Sequence, residues 1–94
     1  MSNHAATAPA YRIVSETVVE QRLANGSYER VGHIDPAAVP EGFTVADVAE
    51  AILDLGRALD AAAQHHRYTD EAAALHALDN LPGLVWGDQG ALAL

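Results

Sequence analysis

The dipeptide Asn25-Gly26 separates two stretches of the chain that are rich in β-branched residues. Both residues tolerate positive φ, which makes Asn-Gly the strongest short-range signal for a β-hairpin. The stretches on either side, YRIVSETVVEQRL (11–23) and YERVGHI (28–34), therefore predict the two strands of an antiparallel hairpin over residues 11–34. An isolated hairpin is only marginally stable in water, so this one must pack against the rest of the chain or against a neighbour.

The register of this hairpin stays open at the level of sequence. A two-residue turn pairs Arg22 with Glu29, whereas a three-residue loop with its glycine in the left-handed conformation pairs Glu20 with Arg30. Each register contains a charge pair, and cross-strand pairs contribute only about 0.2–1 kcal/mol, so neither is favoured. The adjacent Val18-Val19 places apolar side chains on both faces of the strand. This predicts a β-bulge or a strand that is covered on both sides.

A helical pattern dominates the second half of the chain. In the stretch FTVADVAEAILDLGRALDAAAQHH, apolar residues recur at alternating spacings of three and four, which predicts an α-helix over residues 45–66. Thr44 is the expected N-cap, and Asp47 three residues later completes a variant of the capping box. After the break at RYT, Thr69 is the expected cap of a second, shorter helix over residues 70–80.

Together these elements predict an α+β fold, in which an N-terminal antiparallel β-hairpin is followed by a long and a short α-helix packed as a helical hairpin. The connector DPAAVPEG (35–42) separates the two parts, because its prolines interrupt both helix and β-ladder. Residues 1–10 are small and polar and predict an N-terminal arm, either flexible or ordered by an assembly. Residues 11–94 are then a single small domain that ends in an extended apolar tail, LVWGDQGALAL (84–94).

The charge balance restricts the classes of partner. The chain contains 13 Asp and Glu against 5 Arg, no Lys and no Cys, with a formal net charge of −8. Binding to nucleic acid requires basic side chains that displace counterions, so we expect no direct nucleic-acid contact. The absence of cysteine excludes disulfides and Cys-based zinc sites. No apolar run approaches the roughly 20 residues that span a bilayer, and the N-terminal sequence lacks the pattern of a secretion signal. We expect no membrane partner and a cytoplasmic location, or a virion location if the chain is viral.

The histidines are the first candidates for catalysis or metal binding. His65 and His66 are adjacent, so on a helix they point about 100° apart and cannot easily share one metal. Their place in the last turn of the predicted helix is instead typical of partners of the helix dipole. His76 and Asp79 have a spacing that could hold a metal or an acid–base pair, but it is equally typical of an exposed helix face.

The carboxylates and small loops offer no stronger sign of chemistry. Asp54, Arg57 and Asp60 follow one another at steps of three, which predicts an exposed ion-pair ladder. The sequence contains neither a glycine-rich phosphate loop nor a nucleophile elbow. We therefore expect a protein that is not an enzyme and has no cofactor and no metal. A small catalytic or ligand-binding domain around His76 is the least favoured hypothesis.

The feature that most directly indicates function is the breadth of the apolar face of the long helix. Beside its apolar seam runs a row of small residues seven apart, Ala49, Gly56 and Ala63, and Leu53 projects from the otherwise polar side. Glycine inside a helix costs roughly 1 kcal/mol relative to alanine, so its presence indicates that another backbone approaches closely. That backbone can belong to the same domain or to another chain, and the sequence leaves both alternatives open.

We therefore expect a non-enzymatic structural or assembly subunit that acts through self-association or within a larger particle, which could be a virion. The alternative is a small adaptor, antitoxin or inhibitor that binds one protein partner through its apolar helix face and its C-terminal tail. In either case the hairpin could extend the sheet of a neighbouring chain. The residues expected at the partner interface are Val19, Tyr28, Ala49, Ile52, Leu53, Gly56, Leu59, Ala63, Leu84, Trp86 and Leu92.

Overall fold

The structure is a computed structural model that describes residues 8–87 of the chain. It contains a four-stranded antiparallel sheet with the strand order β1-β2-β3-β4, together with two α-helices. This confirms the α+β class. The elements are β1 (Tyr11–Val14), β2 (Val18–Arg22), β3 (Tyr28–Ile34), α1 (Val45–Gln64), α2 (Tyr68–Asp79) and β4 (Leu84–Trp86).

The first strand of the predicted hairpin is two strands. The chain reverses at residues 15–17, so that Val14 lies opposite Val18 and β1 pairs antiparallel with β2. Ser15 and Glu16 make this turn with φ values of 50° and 71°. Such left-handed conformations cost most residues roughly 1 kcal/mol or more, and neither Ser nor Glu is a residue type that signals them. The reversal is therefore imposed by the packing of the sheet and not by local preference.

The Asn-Gly turn adopts the three-residue register. Glu20 lies opposite Arg30, and Gly26 has a φ of +90°. The ladder is interrupted between Val19 and Glu20, where the register shifts by one residue. Val19 consequently lies opposite Gly32, and the predicted β-bulge is confirmed.

The short strand β4 is the C-terminal edge of the sheet and contains the first residues of the predicted apolar tail. It pairs antiparallel with β3, with Trp86 opposite Gly32. A side chain at Gly32 would collide with the carbonyl oxygen of Val85, so only glycine allows this close approach. The remainder of the tail, from residue 88 onwards, and residues 1–7 of the predicted arm lie outside the described residues.

The two helices begin in different ways: α1 begins at a capping box, and α2 begins directly after a reversal of the chain. At the start of α1 the Asp47 amide donates to the Thr44 hydroxyl at 3.1 Å, and the Thr44 amide donates to the Asp47 carboxylate at 2.9 Å, as predicted. The prediction that Thr69 caps the second helix is wrong. His66, with a φ of 56°, reverses the chain so rapidly that α2 already begins at Tyr68, without a side-chain capping bond.

The core lies between the sheet and α1, and Leu78 of α2 also belongs to it. The helices contact each other, and α1 also contacts β1 and β3. An ion pair of 2.8 Å between Arg22 and Asp60 joins β2 to α1. Within residues 8–87, no helix has the length and apolar character needed to cross a membrane. The buried core cluster consists of Tyr11, Val19, Ile34, Val48, Ile52 and Leu78.

Candidate functional site

The row of small residues on α1 contacts the protein's own sheet at its centre. Gly56 is buried, and a Cβ atom placed on it would lie 2.9 Å from Cδ2 of Tyr11 and 3.6 Å from the Cβ of Ala10. Ala49 is half-buried against the core cluster, whereas Ala63 is exposed near the end of the helix. The close backbone approach expected from Gly56 is therefore made by β1 of the same chain.

Other residues expected at a partner interface lie inside the fold. Val19 and Ile52 have no exposed surface, and Leu59 packs against the core cluster. A partner cannot reach Val19 or Ile52 in the folded chain. Leu53 is half-buried. Leu92 lies outside the described residues.

Three further interface candidates lie half-buried on the sheet. The Tyr28 hydroxyl donates to the Pro9 carbonyl at 2.5 Å, and the Arg12 guanidinium lies 4.1 Å from the centre of its ring. Leu84 packs against the core cluster. The Trp86 ring lies 6.3 Å from the Tyr11 ring, and its indole nitrogen is buried without a partner among residues 8–87. Each of these side chains therefore contributes to the protein's own packing.

Sequence reasoning missed an open apolar cleft beside the first turns of α1. We name it the α1 cleft, and its volume is about 410 Å³. Phe43 is its most prominent side chain, with 61% of its surface exposed. Phe43 immediately precedes the N-cap, and Val48 occupies the fourth helical position. This pair of positions is that of a hydrophobic staple and could have indicated the cleft. The cleft is lined by Pro40, Gly42, Phe43, Asp47, Val48, Ala51, Leu81 and Pro82.

The cleft is shaped by three chain turns that local sequence specifies. Pro40 lies in the connector, and Gly42 at its end turns the chain with a φ of +92°. The capping box then fixes the start of α1 behind Phe43. On the opposite side of the cleft, Pro82 and Gly83 follow α2, and the chain then enters β4 of the sheet. A second concavity of about 400 Å³ lies on the other flank of the same helical turns, lined by Ile13, Glu16, Val45, Ala46 and Ala49.

The candidate catalytic residues do not come together into a site. His65 is the C-cap of α1, and the rings of His66 and Tyr68 are 6.2 Å apart. The side chain of Asn80 lies 3.4 Å from the His76 ring and donates to the His76 carbonyl at 2.8 Å. Among the residues that the structure describes, no three His, Asp or Glu side chains form a cluster able to hold a metal ion.

The predicted ion-pair ladder on α1 forms only in part. Asp54 and Arg57 make an exposed ion pair, as their spacing predicts. Asp60 instead turns toward the sheet and binds Arg22. Burial in the core raises the pKa of the Tyr11 hydroxyl above its usual value of 10.0, and the negative charge of Asp79 raises it further. Tyr11 is thus held neutral inside the fold.

These features define an α+β protein in which two helices accompany a four-stranded antiparallel sheet and an open apolar cleft lies beside the first turns of α1. Comparison of the chain with protein families, curated proteins and solved structures finds no match.

Proposed function

We propose that this chain is a non-enzymatic structural or assembly subunit that acts through self-association or within a larger particle, such as a virion. One observation carries the proposal. Three exposed residues, Tyr68, Ala72 and Leu75, follow one another at helical spacing and share one face of α2. Tyr68 and Leu75 are 69% and 47% exposed. We name these three residues the α2 stripe.

An exposed apolar face on a helix requires a physical reason. Single apolar residues on a protein surface are ordinary, but a helix in a globular protein normally buries its apolar face. The buried face of α2, formed by Ala74 and Leu78, is already present on a different side of the helix. We take α1 and α2 to pack as a helical hairpin, so that the α2 stripe lies on its flank. A neighbouring chain could cover it there.

Light scattering on the full-length chain over a range of concentrations tests this proposal. We expect a mass above that of one chain, and we expect the double variant Tyr68→Ser, Leu75→Ser to lower it. Ala73→Ser changes an exposed residue on another face of α2 and is the control. Circular dichroism should show the same helix content in all three proteins. A wild-type mass of one chain at every concentration would contradict self-association.

A second candidate function is that of a small adaptor, antitoxin or inhibitor that binds one protein partner through its apolar helix face and C-terminal tail. The α1 cleft favours it, because this apolar concavity is open and the one charged residue in its lining, Asp47, is acidic. Such a protein has the mass of one chain when alone and gains mass only with its partner. In both proposals the partner is a protein, neither nucleic acid nor membrane, and the location is the cytoplasm or a virion.

A further inference from the structure

We propose that the α1 cleft binds a basic segment of a partner protein, with one large apolar side chain in the cleft and Lys or Arg side chains beside it. The proposal rests on the partner-binding function proposed above and specifies the chemistry of the partner. It depends on the shape of the cleft, on the charges around it and on the positions of the arginines.

The dimensions and the lining of the cleft suit one large apolar side chain. Its volume of about 410 Å³ lies within the roughly 300–1,000 Å³ of typical binding pockets. Asp47 is the one charged residue in its lining, and that carboxylate already accepts the Thr44 amide in the capping box. The exposed ring of Phe43 on the rim gives an incoming side chain an aromatic surface to contact.

The surroundings of the cleft are acidic. Between Arg30 and Arg57 the chain contains no Lys or Arg, and this stretch supplies most of the cleft lining. Glu41 lies between two lining residues, and Glu50 immediately precedes Ala51. Both glutamates are exposed and form no ion pair with any residue in the described range. The chain segments that form the cleft therefore carry negative charge that no ion pair within the described residues compensates.

The arginines of this chain do not supply the matching positive charge. Four of them form ion pairs, namely Arg12 with Glu20, Arg22 with Asp60, Arg57 with Asp54 and Arg67 with Asp70. The fifth, Arg30, is also engaged in an interaction. The segments outside the described range, 1–7 and 88–94, contain no Lys or Arg in their sequence.

These charges decide between the available occupants. A second copy of the chain has a net charge of −8 and would bring negative charge toward the rim of the cleft. The chain's own segment 88–94 contains Asp88 and no basic residue. Like charges brought together oppose association, whereas complementary charges accelerate and stabilise it. The cleft therefore fits a different protein that presents Lys or Arg next to an apolar anchor.

A peptide titration followed by NMR on the isotope-labelled full-length chain tests the proposal. The first probe is a short synthetic peptide with one tryptophan between lysines. In the second, glutamates replace the lysines, and in the third, serine replaces the tryptophan. We expect the lysine–tryptophan peptide to shift the amide signals of Gly42, Val48 and Ala51. It should bind at least about tenfold more tightly than the other two peptides, and its affinity should fall as salt is added.

Variants assign the binding to the cleft. Removing the two carboxylates with Glu41→Gln and Glu50→Gln should weaken binding of the lysine–tryptophan peptide by about threefold to tenfold, and Phe43→Ser should weaken it by a similar factor. Glu29→Gln and Ala73→Ser change an exposed carboxylate and an exposed apolar residue elsewhere and are the controls. All changed positions are exposed, so the fold should persist.

Four outcomes would overturn the inference. They are equal binding of the glutamate peptide, amide shifts located away from the cleft, concentration-dependent shifts of the cleft amides without peptide, and contacts between the cleft and residues 88–94 in the free chain. The third result assigns the cleft to a second copy and the fourth to the chain's own end. Failure of the proposed self-association is recognised separately, because light scattering on the same samples then shows the mass of one chain at every concentration, whether or not the peptide binds.

Discussion

Gly56 shows how one residue without a side chain fixes the distance between the layers of this fold. The Tyr11 ring lies where a side chain at Gly56 would project, and Ala10 borders the same space. In the sequence the same glycine is compatible with a contact to another chain. The structure assigns the contact to β1, so Gly56 contributes to the stability of the domain itself.

Gly56→Leu should therefore destabilise the folded chain. On an exposed helix face the substitution would raise stability by several tenths of a kcal/mol through helix propensity. Overpacking against Tyr11 should instead cost about 1–3 kcal/mol, a loss of at least about 4 °C in melting temperature for a domain of this size. Thermal unfolding measures the effect, and light scattering should show the same mass as wild type.

The control for this prediction is Gln64→Leu, which adds the same side chain at an exposed position on α1. It should leave the melting temperature nearly unchanged. A melting temperature raised by Gly56→Leu would show that this face of α1 is open to water. If Gly56→Leu lowered both the measured mass and the stability, the contact at Gly56 would instead lie at an interface between chains.

The titration of Tyr11 has a consequence for stability at high pH. Burial, with a contribution from Asp79, raises the pKa of Tyr11 in the folded state above 10.0. The unfolded chain therefore loses this proton at a lower pH than the folded chain. The contribution of protonated Tyr11 to the free energy of unfolding is fully present below about pH 10. It is lost as the pH rises from there through the folded-state pKa of Tyr11.

Replacing the buried tyrosine should reduce this alkaline loss. The variant Tyr11→Phe keeps the ring but has no proton to release, so its free energy of unfolding should fall less steeply than that of wild type as the pH rises from about 10 to about 11.5. Denaturant titrations across this range give the two slopes. Tyr68→Phe removes a hydroxyl from an exposed ring and is the control. Parallel curves for wild type and Tyr11→Phe would contradict the prediction.

At the scale of the elements, the two threonines expected to cap helices have different structural roles. Thr44 forms both reciprocal bonds of the capping box with Asp47. Thr69 lies inside α2, one residue after its first position, where its hydroxyl makes no capping bond. Local sequence pattern identified both threonines as caps, but the reversal at His66 decided where α2 begins.

Thr44→Ala should lower the free energy of unfolding by about 1 kcal/mol, because it leaves the Asp47 amide without its acceptor. Thr69→Ala is the matched substitution and should change stability by less than about 0.5 kcal/mol, since it removes no cap. Urea unfolding of both variants compares them directly. Equal losses would show that Thr69 also caps a helix in solution.

At the scale of the whole molecule, the Arg22–Asp60 ion pair connects the sheet to α1 across 38 positions of sequence. Its side chains are 28% and 31% exposed, and Arg22 also donates to the carbonyl of Ala8. The Asp54–Arg57 pair lies within one helix, and its side chains are 62% and 64% exposed. The better shielded pair should contribute more to stability, because water screens it less.

A double-mutant cycle with Arg22→Met and Asp60→Asn should give a coupling energy of about 1 kcal/mol. The corresponding cycle with Arg57→Met and Asp54→Asn should give less than about 0.5 kcal/mol. Both cycles are measured by denaturant unfolding at low and high salt. A coupling energy for Arg22 and Asp60 no larger than that of the exposed pair would mean that this bridge does not hold the layers together.

The sequence by itself determined the features that depend on near neighbours along the chain. The Asn-Gly turn, the capping box at Thr44 and the start of α1 follow from the φ/ψ preferences and hydrogen-bonding capacity of a few adjacent residues. These are local terms that a distant contact rarely reverses.

Only the tertiary structure decided how these elements meet. The reversal at Ser15 and Glu16 opposes local preference, and it persists because it lets β1 pair with β2 and cover Gly56. For the same reason some residues expected at the interface, such as Ile52, are buried, and the open cleft around Phe43 is lined by residues that the periodicity of the helix did not indicate. Burial depends on which distant segments share a space, and no property of neighbouring residues encodes that sharing.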